Sequence, residues 1–212
     1  KAVKMRVGSG DGTLAHSVAR VKAAREGLAE NIDIMCDAHG TLSVAEAKRF
    51  CREVAECNIG WLEEPVVADD KRGMAEVRAS SDVPISTGES EFTRFAFRDL
   101  AELRACDIFQ PDLSICGGIT EAMRIEAIAS AYQLRYAPHL WGGALTFAAG
   151  LQTMVVASTG FIVEYSLGAN PMLHELAVED FTVVDGHLDV PDRPGLGVTV
   201  DEDFVEKYRV KN

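Results

Sequence analysis

Short apolar runs of strand length recur along this chain, and a longer stretch of mixed polarity separates each run from the next. Apolar runs that alternate with amphipathic stretches are typical of strands that alternate with helices. The predicted strands occupy residues 2–7 (AVKMRV), 32–36 (IDIMC), 59–62 (IGWL), 83–87 (VPIST), 107–110 (DIFQ), 134–138 (LRYAP) and 161–163 (FIV).

The intervening stretches carry apolar residues at helical spacing. In residues 43–57 the apolar side chains fall on one helical face, and Ser43 with Glu46 forms a capping box at the start of the predicted helix. Comparable helices are predicted at residues 14–30, 92–104 and 119–133.

Strands that alternate with helices imply a parallel sheet, and about eight such units close into a (β/α)8 barrel, the TIM-barrel architecture. Seven units are visible, so we expect one further strand, the first of the barrel, before Lys1. The repeat stops after Glu164, and residues 181–190 (FTVVDGHLDV) predict a hairpin that turns at Asp185 and Gly186. We therefore expect an α/β barrel domain over residues 1–170. The C-terminal hairpin and tail, residues 171–212, are expected to pack outside the barrel or on a capping domain that is not part of this chain.

A polar residue closes six of the seven runs, at intervals of 23 to 27 residues: Asp37, Glu63, Glu89, Asp112, His139 and Glu164. The carboxyl ends of barrel strands form one face, so these six side chains are expected at a single mouth. Each acid alone could be a solvated strand-end or helix-capping residue. Their matching phase favours a functional site.

Asp37, Glu63 and Glu89 close consecutive strands, and three carboxylates in one place would repel one another without a cation. Oxygen ligands with no cysteine among them suit Mg²⁺. Lys4 and Arg6 lie two residues apart and point to the same side of the first strand. If that side is the interior, they supply positive charge opposite the metal; if it is the exterior, they are a solvated pair.

Asp112 and His139 close neighbouring strands and can form a carboxylate–imidazole pair, in which the carboxylate fixes the tautomer and raises the basicity of the ring. A single histidine that follows a proline, as His139 does, is also compatible with a purely structural role. The neighbouring acid favours the pair.

Composition narrows the possible partners. The formal net charge of −12 opposes binding to nucleic acid and to anionic membrane surfaces. The five cysteines are scattered and form no Cys-x-x-Cys pair, which indicates neither a disulfide framework nor a zinc site and favours a reducing cytoplasm. Residues 142–163 are uncharged and long enough to span a bilayer, but their four glycines and the break at residues 158–160 favour a buried helix followed by a buried strand.

Taken together, these residues resemble the barrel domain of the enolase superfamily, in its mandelate racemase and muconate lactonizing branch. The resemblance covers residues 4–197. Its motifs are K-x-R at Lys4, D-x-H-G at Asp37, W-L-E-E-P with Glu63, T-G-E-S with Glu89, Q-P-D-L-S-I-C-G-G with Asp112, A-P-H-L-W with His139 and V-E-Y with Glu164.

The resemblance implies Mg²⁺-dependent removal of the proton α to a carboxylate, with a Lys or His base and the metal stabilising the resulting ene-diolate. It further implies that Glu164 hydrogen-bonds a substrate carboxylate oxygen. The other implied roles are metal ligation by Asp37, Glu63 and Glu89, general-base catalysis by His139 paired with Asp112, and a position for the Lys4 and Arg6 strand on the opposite side of the substrate.

Two positions depart from the family pattern. Arg6 stands where a second lysine is usual, and since arginine stays protonated, a symmetrical two-base racemase is less favoured unless Lys4 takes that role. His39 stands where asparagine is common. A histidine there resembles the acid-sugar dehydratases of the branch, in which it can protonate the departing β-hydroxyl.

Three hypotheses follow. The first is a dehydratase that converts an acid sugar to a 2-keto-3-deoxy acid. The second is a racemase, epimerase or cycloisomerase with Lys4 and His139 on opposite faces of a carboxylate substrate, and the third is a non-catalytic barrel fragment or binding module. The expected partner is a small sugar acid, and the expected protein is a cytoplasmic homo-oligomer.

Overall fold

Six parallel strands pair in chain order in the computed structural model, which describes residues 1–210. The strands are β1 (Ala2–Arg6), β2 (Asp33–Asp37), β3 (Trp61–Glu63), β4 (Ile85–Thr87), β5 (Ile108–Phe109) and β6 (Arg135–Tyr136). The first six predicted strands are therefore confirmed, with ends that shift by up to two residues. Arg6 pairs with Asp37 and Asp37 pairs with Glu63, so the register places these charged residues side by side.

Helices follow the strands, as the pattern predicts. They are α1 (Leu14–Gly27), α2 (Val44–Glu53), α3 (Lys71–Ala79), α4 (Thr93–Glu102), α5 (Gly118–Ala131), α6 (Ala144–Val156), α7 (Pro171–His174) and α8 (Glu202–Lys207). The predicted capping box of α2 is present. Helix α3 was not predicted, because its interior glycine, Gly73, weakens the helical signal. The side chain of Asp70 nevertheless caps that helix by accepting a hydrogen bond from the backbone N–H of Gly73.

The seventh predicted strand, residues 161–163, is wrong as a regular strand. A single parallel bridge joins Tyr136 to Gly160, and the chain then continues without regular structure. Phe161 and Ile162 both pack against the same apolar cluster inside the barrel, whereas a regular strand sends successive side chains to opposite faces. The helix predicted in the same apolar stretch is confirmed as α6.

Two apolar layers lie on opposite sides of the sheet. The outer layer joins the strands to the helices and contains Ile34, Leu62, Ile85 and Phe109 together with helical side chains such as Phe50. The inner layer forms the floor of the barrel and contains Met35, Trp61, Ile108 and Ala137. Because side chains alternate along a strand, the residue two positions after each floor residue also faces inward. These residues lie above the floor, at the carboxyl ends of the strands.

The C-terminal segment packs outside the barrel on α6, as expected. Phe147 and Leu151 of α6 form one cluster with Leu173 of α7, and Ala144 forms another with Phe204 of α8. The predicted hairpin is confirmed as β7 (Val183–Val184) and β8 (His187–Leu188), with Asp185 and Gly186 in the left-handed region. The division into units at residue 170 stays a prediction.

All five cysteines are free and buried. Within residues 1–210, no helix combines the length and the apolar character that crossing a membrane requires.

Candidate active site at the carboxyl ends of the strands

Lys4 points into the barrel and connects two of the predicted strand-end acids. Its Nζ lies 3.0 Å from both carboxylate oxygens of Glu63 and 2.6 Å from Oε1 of Glu164. Burial alone would lower the pKa of Lys4, but the charges of Glu63 and Glu164 raise it above its ordinary value. The interior placement of Lys4, which the sequence left open, is thereby decided, and Lys4 is held as a cation.

Arg6 lies further out, where its Nη1 is 3.5 Å from Oδ2 of Asp37 and nearly half of its side chain is exposed. Asp37 itself is buried, and its Oδ1 accepts a hydrogen bond from the backbone N–H of His39. Burial and the nearby charge of Glu63 raise the pKa of Asp37. Both basic residues of β1 therefore face acids of the candidate site.

His139 and Asp112 form the predicted pair. Nδ1 of His139 lies 2.8 Å from Oδ2 of Asp112, and the other oxygen of Asp112 accepts a hydrogen bond from the backbone N–H of Ser114. Burial would lower the pKa of His139, but the hydrogen bond to Asp112 and the charge of Glu89 raise it. The His139 Nε2 atom lies 3.5 Å from Oε2 of Glu89 and is the ring nitrogen turned toward the mouth.

Glu63 is almost fully buried and has several donors. Besides Lys4, the indole Nε1 of Trp61 donates to it at 3.0 Å. Burial would raise the pKa of Glu63, but the charge of Lys4 and hydrogen bonds from Gln110 and Trp61 lower it. Trp61 and Gln110 were not identified from the sequence, because a tryptophan and a glutamine in apolar runs read as core residues.

Glu64 is a third side chain of the candidate site that sequence reasoning missed. Strand alternation would place Glu63 and Glu64 on opposite faces. The backbone of Glu64 is in the left-handed region, with φ of 39°, and this breaks the alternation. Burial and the charges of Glu89, Glu63 and Asp37 raise the pKa of Glu64 to about 8. The two consecutive glutamates of W-L-E-E-P were the feature of the sequence that could have pointed to Glu64.

The described residues contain one group of three or more metal-binding side chains whose donor atoms all lie within 4.8 Å of one another, and it consists of His39, Glu64 and Glu89. Nδ1 of His39 is 3.2 Å from Oε1 of Glu89. The ligand set expected from the sequence, Asp37, Glu63 and Glu89, does not meet that spacing among the described residues; Lys4 contacts Glu63, and Arg6 lies 3.5 Å from Asp37. Burial and the negative charges of Glu63 and Asp37 also raise the pKa of Glu89, which opposes its ionisation at this mouth.

A cavity of about 390 Å³ includes part of the candidate site. Lys4 and Glu164 contribute to its wall, together with Trp61, Gln110 and Trp141. This volume suits a small molecule, and ligand cavities commonly combine apolar walls with a few polar groups. One Glu164 oxygen, Oε2, is buried and without a hydrogen-bond partner in the described part of the chain.

Comparison with known proteins places these motifs in a family. The family model described as enolase C-terminal domain-like matches residues 1–204. A D-galactonate dehydratase from Xanthomonas oryzae pv. oryzae is 34% identical over 197 residues, which cover 90% of this chain and 52% of the relative. The chain spans about half the length of the curated relatives it matches.

Solved structures agree in fold. The 3,6-anhydro-D-galactonate cycloisomerase from Zobellia galactanivorans superposes with a TM-score of 0.93 at 31% identity, over 100% of this chain and 59% of that one. An enolase from Bradyrhizobium, solved in complex with magnesium and mandelic acid, superposes with a TM-score of 0.88 at 30% identity, over 99% of this chain and 55% of that one.

Proposed function

Because the chain belongs to the enolase superfamily, in its mandelate racemase branch, we propose that the protein carrying it is a dehydratase of acid sugars. The observation that carries the proposal is the placement of two histidines with different partners at one mouth. His139 is paired with Asp112 at 2.8 Å, and His39 faces Glu89 at 3.2 Å. A dehydratase needs one group that removes a proton and one that delivers a proton, and these residues supply both.

His139 is the base of the proposed reaction. Its Nδ1–H donates to Asp112, which leaves the lone pair of Nε2 to accept the proton α to the substrate carboxylate. The α C–H bond breaks, its electron pair forms a carbon–carbon double bond, and the β C–O bond breaks. His39 protonates the departing hydroxyl, which leaves as water. The resulting enol tautomerises to a 2-keto-3-deoxy acid.

Asp37, Glu63 and Glu89 are the proposed ligands of Mg²⁺. They fit a hard divalent cation, because they are oxygen donors from three consecutive strands, and burial together with neighbouring carboxylates raises the pKa values of Asp37 and Glu89. When bound, Mg²⁺ stabilises the negative charge that develops on the substrate carboxylate as the α-proton leaves. Lys4 contacts Glu63 and Arg6 lies 3.5 Å from Asp37, so these two cations supply further positive charge beside the proposed ligands rather than opposite them.

Lys4 and Glu164 are proposed to position the substrate. They contact each other at 2.6 Å and both contribute to the wall of the cavity. The ammonium of Lys4 can donate to a carboxylate oxygen of the substrate, and the Glu164 carboxylate, 2.6 Å from Lys4 Nζ, holds that ammonium in place. This geometry favours Lys4 as a positioning cation over Lys4 as a second base.

A cycloisomerase or another isomerase is the second candidate. The similarity to the Zobellia cycloisomerase supports it, since isomerisation of a carboxylate substrate can begin with the same removal of an α-proton. The two candidates differ in the fate of the oxygen at the β-carbon. Elimination removes water, whereas isomerisation conserves mass.

The test is α-proton exchange in D₂O with Mg²⁺, carried out on the complete protein with a panel of sugar acids that includes D-galactonate. We expect deuterium incorporation together with loss of water. His139→Asn should lower both by at least about 100-fold, whereas His39→Asn should lose dehydration and retain exchange. The exposed histidine variant His187→Asn is the matched control.

Exchange without loss of water in the unmodified protein would establish the isomerase. Failure of every substrate to exchange, with Mg²⁺ bound, would overturn the enzymatic proposal and favour a binding module.

A further inference from the structure

We propose that His39, Glu64 and Glu89 form a second divalent-cation site, which takes a borderline ion such as Zn²⁺ in preference to Mg²⁺ and whose occupancy withdraws His39 from proton transfer. The regulatory half of this inference rests on the proposed dehydratase function. The binding half rests on geometry alone.

The three side chains come from the ends of consecutive strands. His39 follows β2, Glu64 follows β3 and Glu89 follows β4, and one donor atom from each lies within 4.8 Å of the others. Two ligands at about 2.1 Å from a tetrahedral zinc ion lie about 3.4 Å apart. The separation of 3.2 Å between Nδ1 of His39 and Oε1 of Glu89 is close to that spacing.

Glu64 supplies the independent observation. Its side chain is only 4% exposed, yet its Oε1 has no hydrogen-bond partner among the residues that the structure describes. A buried carboxylate oxygen without a partner is costly, and a cation bound beside it would satisfy it.

The backbone holds Glu64 in place. Its N–H donates to the carbonyl of Ser86 at 2.9 Å, and its carbonyl accepts from the N–H of Gly40 at 2.7 Å. These two bonds tie Glu64 to β4 on one side and to the turn that carries His39 on the other. The site is therefore built on rigid elements and requires little rearrangement of the main chain.

The donor set differs in kind from the oxygen-only set of Asp37, Glu63 and Glu89. An imidazole nitrogen favours zinc and other first-row transition metals, whereas Mg²⁺ prefers oxygen. Glu89 belongs to both sets, and its two oxygens diverge: Oε1 faces His39 and Oε2 faces His139. One carboxylate can thus serve both ions.

Occupancy would have a specific chemical consequence. The imidazole nitrogen of His39 that binds the ion can no longer carry a proton, so protonation of the departing hydroxyl should stop. His139 is held by Asp112 and stays available, so α-proton exchange should continue. Zn²⁺ is therefore expected to separate the two half-reactions.

The binding test is calorimetric titration of the complete protein with Zn²⁺ in the presence of excess Mg²⁺. We expect one equivalent of Zn²⁺ to bind to the unmodified protein. Glu64→Gln and His39→Asn should each weaken that binding by at least about tenfold. Glu64→Gln conserves shape, and His39 is more than half exposed, so at least one variant should fold normally. His16→Asn, which removes an exposed histidine outside the site, should bind Zn²⁺ like the unmodified protein.

Unchanged Zn²⁺ affinity in Glu64→Gln would overturn the site. Loss of all Zn²⁺ binding as Mg²⁺ is raised would also overturn it, because Zn²⁺ would then have occupied only the Mg²⁺ ligands.

The regulatory test is the D₂O assay with added Zn²⁺, in which loss of water should fall while deuterium incorporation persists. Because calorimetry needs no turnover, the two proposals can fail separately. Zn²⁺ binding without turnover of any sugar acid would contradict the dehydratase alone, and turnover without Zn²⁺ binding would contradict the second site alone.

Discussion

Residues of the same type acquire different chemistry from their partners at this mouth. His139 is largely buried, with 14% of its side chain exposed, and its ring is oriented by Asp112. His39 is 55% exposed on its side chain and faces Glu89. A largely buried, oriented imidazole suits removal of a proton from a substrate held in a fixed position. An exposed imidazole can instead exchange its proton with solvent between turnovers. The difference lies in the neighbours of the two rings.

Asp112→Asn is expected to lower the rate of α-proton exchange by at least about 100-fold, because an amide can present either donor or acceptor to Nδ1 and no longer fixes the tautomer. The rate is measured by deuterium incorporation at saturating Mg²⁺. Asp69→Asn, which makes the same change at an exposed acid outside the mouth, is the control. Equal rates in the two variants would contradict the assigned role of Asp112.

Individual elements begin where local side-chain chemistry satisfies the backbone. At the start of α2, the hydroxyl of Ser43 accepts from the backbone N–H of Glu46 at 3.3 Å, and the Glu46 carboxylate accepts from the backbone N–H of Ser43 at 2.9 Å. Two backbone donors that the helix leaves free are thereby bonded. The helix then buries Ala47 and Phe50 against the sheet.

Ser43→Ala is expected to lower the free energy of unfolding by about 1 kcal/mol, because alanine cannot accept the N-cap hydrogen bond. Chemical denaturation of the complete protein measures the change. Ser43→Asn keeps an acceptor at the cap and should remain close to the unmodified protein. A loss of equal size in both variants would mean that the cap is not the cause.

Glu46 gives α2 a dependence on pH. The hydrogen bond from the backbone of Ser43, together with that from its side chain, lowers the pKa of Glu46 below its ordinary value of 4.5. A carboxyl whose pKa is lowered by folding contributes stability above its ordinary pKa and loses it as the pH falls through the folded value. The free energy of unfolding of the unmodified protein and of Glu46→Gln should be compared from about pH 6 down to pH 3. The advantage of the unmodified protein should hold at the upper end of this range and shrink at roughly pH 4 and below. A constant difference across that range would contradict the expectation.

The whole molecule is held together by contacts between distant segments. Lys4 of β1 connects Glu63 of β3 to Glu164, which lies at the far end of the barrel repeat. Outside the barrel, α6 carries the clusters on which the C-terminal segment packs. The arrangement of the mouth is therefore stabilised by ion pairs inside the barrel, and the C-terminal segment is held by burial of apolar side chains.

Phe204→Ala is expected to lower the free energy of unfolding by about 3 kcal/mol, because the ring of Phe204 is buried with Ala144 and Leu176 and its removal leaves a cavity. Val205→Ala, on the exposed side of α8, is the matched control and should change little. Denaturant titration measures both variants. Similar losses would show that α8 does not dock through Phe204.

Mg²⁺ is expected to raise the thermal midpoint of the protein, since a ligand that binds only the folded state stabilises it by about 2.7 kcal/mol at one hundred times its dissociation constant. Asp37→Asn should lose this dependence, and removal of the ion with a chelator should reverse it. Asp69→Asn, which removes an exposed acid outside the mouth, is the control. A midpoint that rises equally in Asp37→Asn would exclude Asp37 as a ligand.

Local sequence patterns correctly predicted the repeat, six of the strands, the capping box of α2, the hairpin and the pairing of His139 with Asp112. These features follow from local rules: the spacing of apolar residues, the chemistry of caps and turns, and the shared phase of residues that close parallel strands. The same rules assigned residues 161–163 to a strand, because a short apolar run does not reveal that Phe161 and Ile162 pack on one cluster.

Tertiary structure alone decided which charges meet. Lys4 turns inward to Glu63, and Glu64 leaves the alternation of its strand to join His39 and Glu89. Neither arrangement is local, because each depends on side chains from strands about 25 to 60 residues apart and on a left-handed backbone that a glutamate seldom adopts. The one-dimensional pattern fixes which residues reach the mouth. Electrostatics and backbone geometry in three dimensions determine their partners.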